Sequence, residues 1–138
     1  MANSQEAEAE IKRLLKLSTK QLEDDLVSEA AKSGEFLQIA MQTEPPSSPA
    51  ALQKDFRGFP REQQLQLVKG VFQRGRDNFK HTICVKLRYC ERKGHDLVAL
   101  LAAIAAVLCH MPPALAVGLL LAVYLYKNGE LDELCGCK

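Results

Sequence analysis

The sequence predicts an all-α protein: a small helical bundle with an amphipathic long helix, or helix pair, and a buried apolar helical hairpin at its C-terminal end. The first observation behind this is that apolar residues recur every three or four positions through most of the chain, which is the period of one helix face. The second is a stretch of 30 residues, Leu97 to Tyr126, that contains no Asp, Glu, Lys or Arg. The third is that no pair of matching strand patterns can be found.

Composition places the chain among ordinary globular proteins. It has 138 residues, of which 47% are hydrophobic and 25% charged. A chain of this length buries enough surface to form a core without help from disulfides or metal ions. The formal net charge is +1, so no global attraction to nucleic acid or to an acidic surface is expected.

The charge is unevenly distributed, and this divides the chain into three predicted parts. Residues 1–44 carry a net charge of −4 and form an acidic helical N-terminal unit. Residues 45–60 contain four of the six prolines and have the composition of a linker. Residues 61–138 form a helical core with the apolar hairpin. Residues 51–95 carry +7 and residues 96–138 carry −2, which favours electrostatic matching between packed segments.

Three short helices are predicted in the N-terminal unit. The first is amphipathic and runs from residue 6 to about residue 17. The second begins at Ser18, because Ser18 and Gln21 fit the capping-box pattern. Its inward residues are Leu22, Leu26, Val27 and Ala30. Residues 35–42 fit a third helix or a strand, and we favour the helix.

A longer helical pattern follows Pro60. Its apolar face is formed by Leu65, Val68, Phe72, Phe79, Ile83, Leu87 and Cys90. Gly75 and the Asp77-Asn78 pair allow a break between residues 74 and 77, so the pattern fits either one long helix or two helices. Residues 83–89 also alternate as a strand would, and this alternative stays open. Arg92, Lys93 and Gly94 predict a helix end.

The uncharged stretch is predicted to be two helices, 97–109 and 114–126, joined at Pro112-Pro113. Proline cannot continue a helix but suits its first turn. About 13 helical residues span only about 20 Å, whereas a hydrocarbon core is about 30 Å thick, so neither half crosses a membrane alone. We interpret the hairpin as a protein core. The alternative is a hairpin that inserts into lipid, because Tyr124 and Tyr126 also suit a membrane interface.

The cysteines predict reduced thiols in a cytoplasmic protein. There are five of them, without a regular spacing, and the polar, acidic N-terminal residues do not resemble an export signal. Cys135-Gly136-Cys137 is the only short motif with conceivable thiol or metal chemistry. Further ligands for a zinc ion would have to come from His81, Cys84, Cys90, His95, Cys109 and His110. Because no C-x-x-C spacing occurs, we predict no metal site, with Cys135 and Cys137 as weak candidates.

No catalytic residue and no cofactor are predicted. Phosphate-binding glycine loops, G-x-S-x-G and H-E-x-x-H are absent from the sequence. Cys109 and His110 are neighbours that would face about 100° apart on a helix, which does not suit a nucleophile and its base. The basic residues between 74 and 93 scatter around the helix, so nucleic acid is not an expected partner. No small-molecule substrate is inferred, and we predict that the chain is not an enzyme.

The function predicted is that of a protein-interaction or regulatory module. The hairpin has more apolar surface than one amphipathic helix and a small acidic unit can cover, which favours self-association or docking to a protein partner. The predicted contact residues are Phe72, Phe79, Leu115, Leu119, Val123 and Tyr126. Two alternatives remain: a membrane-inserting or membrane-anchored hairpin effector, and a thiol or metal-binding protein that uses Cys135-Gly136-Cys137.

Overall fold

The computed structural model describes residues 4–41, 48–108 and 115–137. Within these residues every regular element is helical and no strand occurs, which confirms the all-α fold class. The α-helices are α1 Ser4–Leu15, α2 Thr19–Lys32, α3 Gly34–Met41, α4 Pro49–Gly58, α5 Arg61–Arg74, α6 Arg76–Lys80, α7 Tyr89–Arg92, α8 Leu97–Leu108, α9 Leu115–Lys127 and α10 Glu130–Cys135. A π-helical segment, His81–Lys86, continues α6.

The first helices form as their sequence predicts. The Ser18 hydroxyl accepts a hydrogen bond from the Gln21 backbone N–H at 3.1 Å, and the Gln21 side-chain oxygen accepts one from the Ser18 backbone N–H at 3.0 Å. This reciprocal capping box starts α2. The four residues predicted to face inward from α2 are all buried. Residues 34–41 are helical, so the strand alternative there is wrong.

The predicted linker is largely a helix. Ser48 caps α4 by accepting a hydrogen bond from the Ala51 N–H at 3.2 Å, and Pro49 occupies the first turn, where its fixed backbone angle suits a helix. Leu52 and Phe56 are buried, 1% and 0% exposed. Residues 49–58 of the predicted linker are therefore helical rather than extended, because serine and proline here start a helix.

The long amphipathic pattern divides into α5 and α6 at Gly75, which is the two-helix alternative. A Cβ atom at residue 75 would lie 2.7 Å from the ring of Phe79, so a larger residue there would require the Phe79 side chain to move. The strand alternative for residues 83–89 is wrong, because residues 81–86 are π-helical and α7 begins at Tyr89.

The apolar hairpin is the centre of the molecule. α8 packs against α9, α1 packs on both, and α2 covers α9. Leu101, Ile104, Leu121 and Val123 are all 0% exposed. Most of α9 is therefore buried among the chain's own helices, whereas α8 is buried on one side only: Ala102, Ala103 and Val107 are partly exposed and Ala106 is exposed. The joining residues, including Cys109, His110 and Pro112-Pro113, lie outside the described ranges.

The end of α9 also holds the end of α1. The Lys127 ammonium donates a hydrogen bond to the Leu15 carbonyl oxygen at 3.0 Å and another to the Leu17 carbonyl oxygen. Carbonyl groups at a helix end have no partner within the helix, so a cation there is stabilising. Among the described residues, no helix combines the length and the apolar character that a bilayer crossing needs.

One hydrophobic core runs through all three predicted parts of the chain, from Ile11 to Leu134. Residues of α1 to α3, of α4 and of α8 to α10 contribute to it. The predicted division into 1–44, 45–60 and 61–138 asks whether each part can fold alone. A shared core does not answer that question, so the division stays a prediction.

Candidate functional site

The chain ends in a short helix that folds back onto the body. Gly129, with φ +78°, takes the left-handed conformation between α9 and α10, which glycine adopts at little cost. Leu131 and Leu134 of α10 are 0% and 3% exposed. The helix packs against α9, α6, α7 and the π-helical segment. We call residues 130–137 the C-terminal clasp.

The clasp ends in a Schellman turn that displays two cysteines. Gly136 has φ +62°, and its N–H donates to the Glu133 carbonyl oxygen at 3.3 Å. The Cys137 N–H donates to the Asp132 carbonyl oxygen at 3.0 Å. This pair of bonds satisfies carbonyl groups at the helix end and requires a left-handed residue, which explains Gly136.

Two disulfides join the clasp to the segment around α7. Cys84 pairs with Cys135 and Cys90 pairs with Cys137, with Cα–Cα distances of 5.3 and 5.4 Å. The prediction of reduced thiols is therefore wrong for these four cysteines. An odd total of cysteines does not exclude disulfides among four of them, and the fifth, Cys109, lies outside the described residues. The pairs bridge separations of 51 and 47 residues, which no local spacing reveals.

An irregular backbone brings Cys84 and Cys90 to face the clasp. Cys84 lies in the π-helical segment. Such turns are rare in proteins as a whole, and those that occur are often found at functional sites. Between the two cysteines Arg88 has φ +54°, a conformation that costs free energy for a residue other than glycine. One left-handed residue, Arg88, therefore lies between Cys84 and Cys90 in the sequence, and another, Gly136, lies between Cys135 and Cys137.

The two bridges close a small covalent ring. It consists of residues 84–90, residues 135–137 and the two disulfides between them. Cys90 is exposed, and Cys84, Cys135 and Cys137 are partly exposed. Thiol reagents can therefore reach this ring, which we call the cysteine ring.

A polar cluster lies beside the cysteine ring. The Tyr89 hydroxyl donates to the Asp132 carboxylate at 2.7 Å, and the Lys93 ammonium donates to the same oxygen at 3.0 Å. Lys93 also lies 5.9 Å from the centre of the Tyr89 ring, within range of a cation–π contact. These contacts hold the first turns of α10 against α7 without any covalent bond.

Burial and hydrogen bonding shift the pKa values in this cluster. Burial, and then the hydrogen bond to Asp132, raise the pKa of Tyr89 well above its usual value. For Asp132, burial acts to raise the pKa, but the hydrogen bonds from Tyr89 and Lys93 and the Lys93 charge outweigh it and lower the pKa. Asp132 is therefore held as an anion. Sequence reasoning missed Tyr89, Lys93 and Asp132, because nothing local connects residues about 40 positions apart.

The predicted partner-binding residues lie mostly inside the molecule. Phe72, Leu119 and Val123 are 1%, 6% and 0% exposed. Phe79 and Tyr126 are half-buried, and the side chain of Leu115 lies outside the described part. Among the described side chains the large apolar ones that are exposed are Ile39 and Val85, neither of which belongs to the hairpin. The chain's own helices cover most of α9 and one side of α8.

The candidate metal ligands are brought together only in part. Cys84 and Cys90 join Cys135 and Cys137, whereas His81 and His95 are exposed, and Cys109 and His110 lie outside the described residues. In this disulfide-bonded form, the described chain contains no group of three or more His, Cys, Asp or Glu residues placed to hold a metal ion. Comparison of the chain with protein-family models, with curated proteins and with solved structures found no match.

Proposed function

We propose that this chain is a non-enzymatic regulatory module that responds to thiol redox state through its C-terminal clasp. The observation that carries the proposal is the pairing of Cys84 with Cys135 and of Cys90 with Cys137. These bridges connect an otherwise short, surface-lying helix to the body. In the oxidised form they hold the clasp closed, and in the reduced form the clasp can leave the body.

The energetics support a clasp that depends on its bridges. A disulfide typically stabilises by about 2–4 kcal/mol, comparable to burial of one leucine side chain, which contributes about 1.5–3 kcal/mol. Leu131 and Leu134 are the buried leucines of α10. A helix of six residues does not persist alone in water, so loss of the bridges leaves α10 only marginally docked.

Whichever bridge forms second adds less stability than the one that forms first. The first one to form closes a loop of about 50 residues and removes much conformational entropy from the unfolded chain. Once it exists, the second closes only the small cysteine ring, and its entropic effect is smaller. Reduction of either bridge alone is therefore expected to leave the clasp closed, and reduction of both to release it.

Release of the clasp exposes an apolar surface for a protein partner. Leu131 and Leu134 would lose their contacts, and so would Ile83 and Tyr89, both 0% exposed while the clasp is closed. The expectation of a protein partner or a second copy of the chain thus moves from the hairpin residues to this concealed surface. We retain the expectation that nucleic acid is not a partner. Each opening step takes two electrons and two protons from a cellular dithiol, which becomes a disulfide.

The proposed compartment requires that the two disulfides are reversible, because stable disulfides are rare in cytoplasmic proteins. The cytoplasm remains the proposed location, with the clasp closed when the dithiol pool becomes oxidised. We prefer this location to the membrane alternative because the leucines of α9 pack among α1, α2 and α8.

The test is amide hydrogen exchange of the intact protein, oxidised and then reduced, with a metal chelator present throughout. We expect amides of residues 130–137 to exchange at least about 10-fold faster after reduction, while those of α8 and α9 change little. The double variant Cys84→Ser with Cys135→Ser removes the Cys84–Cys135 bridge, and its clasp should stay closed until Cys90–Cys137 is reduced. Cys109→Ser is the control and should behave as the parent.

Two results would overturn the proposal. One is the absence of the Cys84–Cys135 and Cys90–Cys137 peptide pairs from a non-reducing digest of the oxidised protein. The other is an unchanged exchange pattern of residues 130–137 after full reduction.

A further inference from the structure

The Cα atoms of the four bridged cysteines lie close together. Within each pair the Cα atoms are 5.3 and 5.4 Å apart. Cys135 and Cys137 are separated by one residue, so their Cα atoms are at most about 7.6 Å apart. In the disulfide-bonded protein the four side chains therefore lie in neighbouring positions, and after reduction they can meet again when the clasp returns to the body.

We propose that the reduced clasp binds one Zn²⁺ ion through Cys84, Cys90, Cys135 and Cys137. This inference rests on the proposed function in one respect only, that the two disulfides can open. It adds a ligand that closes the clasp again under reducing conditions.

The geometry of the cluster suits tetrahedral zinc. Structural zinc sites are four-coordinate and often use four cysteines at about 2.3 Å, which places neighbouring sulfur atoms about 3.8 Å apart. Bonded sulfur atoms in a disulfide are about 2.0 Å apart. Side-chain rotation can supply the difference, because each Cα pair is already close. The ligands come as Cys84-x5-Cys90 and Cys135-x-Cys137, with Arg88 and Gly136 turning the backbone between them.

The backbone supports this role for the two segments. Gly136 must be left-handed for Cys135 and Cys137 to leave the end of α10 in their present directions, and its N–H is already bonded within the turn. Arg88 maintains a costly conformation between the other two cysteines. Backbone strain of this kind persists only where the surrounding structure fixes it, and it is frequent at sites that bind ligands.

The charge near the cluster suits a tetrathiolate site. Zinc with four thiolates carries a formal charge of −2. Residues 80–93 contain five basic residues and one acidic residue, Glu91. Cations close to cysteines stabilise thiolates, which are the form that binds metal. Asp132 lies nearby, but Lys93 pairs with it at 3.0 Å.

The chemistry balances without electron transfer. Binding converts up to four thiols into zinc-bound thiolates and releases up to four protons, so the affinity should rise with pH. The oxidised form cannot bind in this way, because each sulfur atom is then bonded to another. Disulfide formation and zinc binding therefore exclude each other at the same four atoms.

The test uses the full chain, reduced with a trialkylphosphine and freed of metal. It is titrated with Co²⁺, which reports tetrahedral thiolate coordination by its visible and near-ultraviolet bands, and then with Zn²⁺, which should displace it. We expect one metal ion per chain, and no binding to the oxidised protein. Cys135→Ser and Cys137→Ser should each weaken binding by about 100-fold or more, whereas Cys109→Ser should not change it.

A second measurement does not depend on the folding of any variant. The reduced parent is treated with an alkylating agent, with and without Zn²⁺, and the modified cysteines are counted by mass spectrometry. Protection of Cys84, Cys90, Cys135 and Cys137, but not of Cys109, is the expected result. Alkylation of these four cysteines at the same rate in both samples, or Co²⁺ bands that persist in both serine variants, would overturn the inference.

These results are independent of the redox proposal. Zinc binding by a reduced chain whose disulfides never form would leave the metal site intact and reject the redox clasp. Correct disulfides with clasp release, but no metal binding, would do the reverse.

Discussion

The hairpin core and the clasp region are stabilised in different ways. α8 and α9 are 12 and 13 residues long, and each contributes several fully buried aliphatic side chains to the core. Around the clasp, α6, α7 and α10 have only five, four and six residues, and the backbone includes a π-helical segment and three left-handed residues. One region is held by burial of apolar surface, and the other by covalent bonds and a few polar contacts.

The difference shows where a small protein needs cross-links. A helix shorter than about 12 residues is marginal in water, and it persists only where tertiary contacts hold it. The hairpin obtains these contacts from α1 and α2. α7 and α10 contribute Tyr89, Leu131 and Leu134 to the core, and the two disulfides supply the rest.

The largest expected effect separates the two regions by a core substitution. Leu121→Ala should lower the free energy of unfolding by about 2–5 kcal/mol, because it leaves a cavity at a residue that is 0% exposed. The loss should be the same in the oxidised and reduced protein, as measured by urea denaturation. Its counterpart is Leu134→Ala, which should mainly accelerate hydrogen exchange of residues 130–137 in the reduced protein. Equal global losses from both substitutions would show that the regions unfold as one unit.

An intermediate effect is expected from two matched hydroxyl deletions. Tyr89→Phe removes the 2.7 Å hydrogen bond to Asp132 in the clasp region, and Tyr124→Phe removes a 2.7 Å hydrogen bond to Glu23 between α9 and α2. Hydrogen bonds to charged groups contribute about 1.5–3 kcal/mol. We expect Tyr124→Phe to lower the free energy of global unfolding, and Tyr89→Phe to act chiefly on the exchange of α10. A Tyr89→Phe protein with unaltered clasp exchange would exclude the polar cluster as a second fastening.

The smallest effect is the pH dependence of stability that comes from two tyrosines. Reduction should change the contribution of Tyr89 in the clasp region and leave that of Tyr124 in the hairpin unchanged. Burial, followed by their hydrogen bonds to Asp132 and Glu23, raises the pKa of both Tyr89 and Tyr124. Unfolded tyrosines ionise near pH 10, so this contribution to stability is complete below pH 10 and declines as the pH rises further.

The measurement is phenolate absorbance against pH in single-tyrosine proteins. Tyr124→Phe with Tyr126→Phe leaves Tyr89, and Tyr89→Phe with Tyr126→Phe leaves Tyr124. In the reduced, metal-free protein Tyr89 should ionise at lower pH than in the oxidised one, whereas Tyr124 should not shift. A shift of both residues by the same amount would argue against local opening of the clasp.

Much of the fold follows from periodicity and helix-end signals. The capping box at Ser18 was predicted from two residues, and a break at Gly75 was one of two alternatives, because both depend on local backbone chemistry. The uncharged stretch predicted the hairpin for a similar reason, since apolar helices without a polar face must be enclosed. Residues 45–60 misled because proline marks both linkers and first turns of helices.

The candidate site was far less predictable. Cys135-Gly136-Cys137 attracted attention as a motif, but its partners depend on how α7 and α10 meet in three dimensions. The π-helical segment and the left-handed Arg88 have no signature in the local sequence, and both are needed to direct Cys84 and Cys90 toward the clasp. Disulfide connectivity cannot be deduced from spacing alone, and an odd number of cysteines does not exclude it.

The packing of α1 has a consequence for biosynthesis. α1 leaves the ribosome before its neighbours α8 and α9, which begin at Leu97 and Leu115. At about 5–20 residues per second, several seconds pass between the synthesis of α1 and that of these partners. The apolar side of α1 is therefore covered only after both helices of the hairpin have been made.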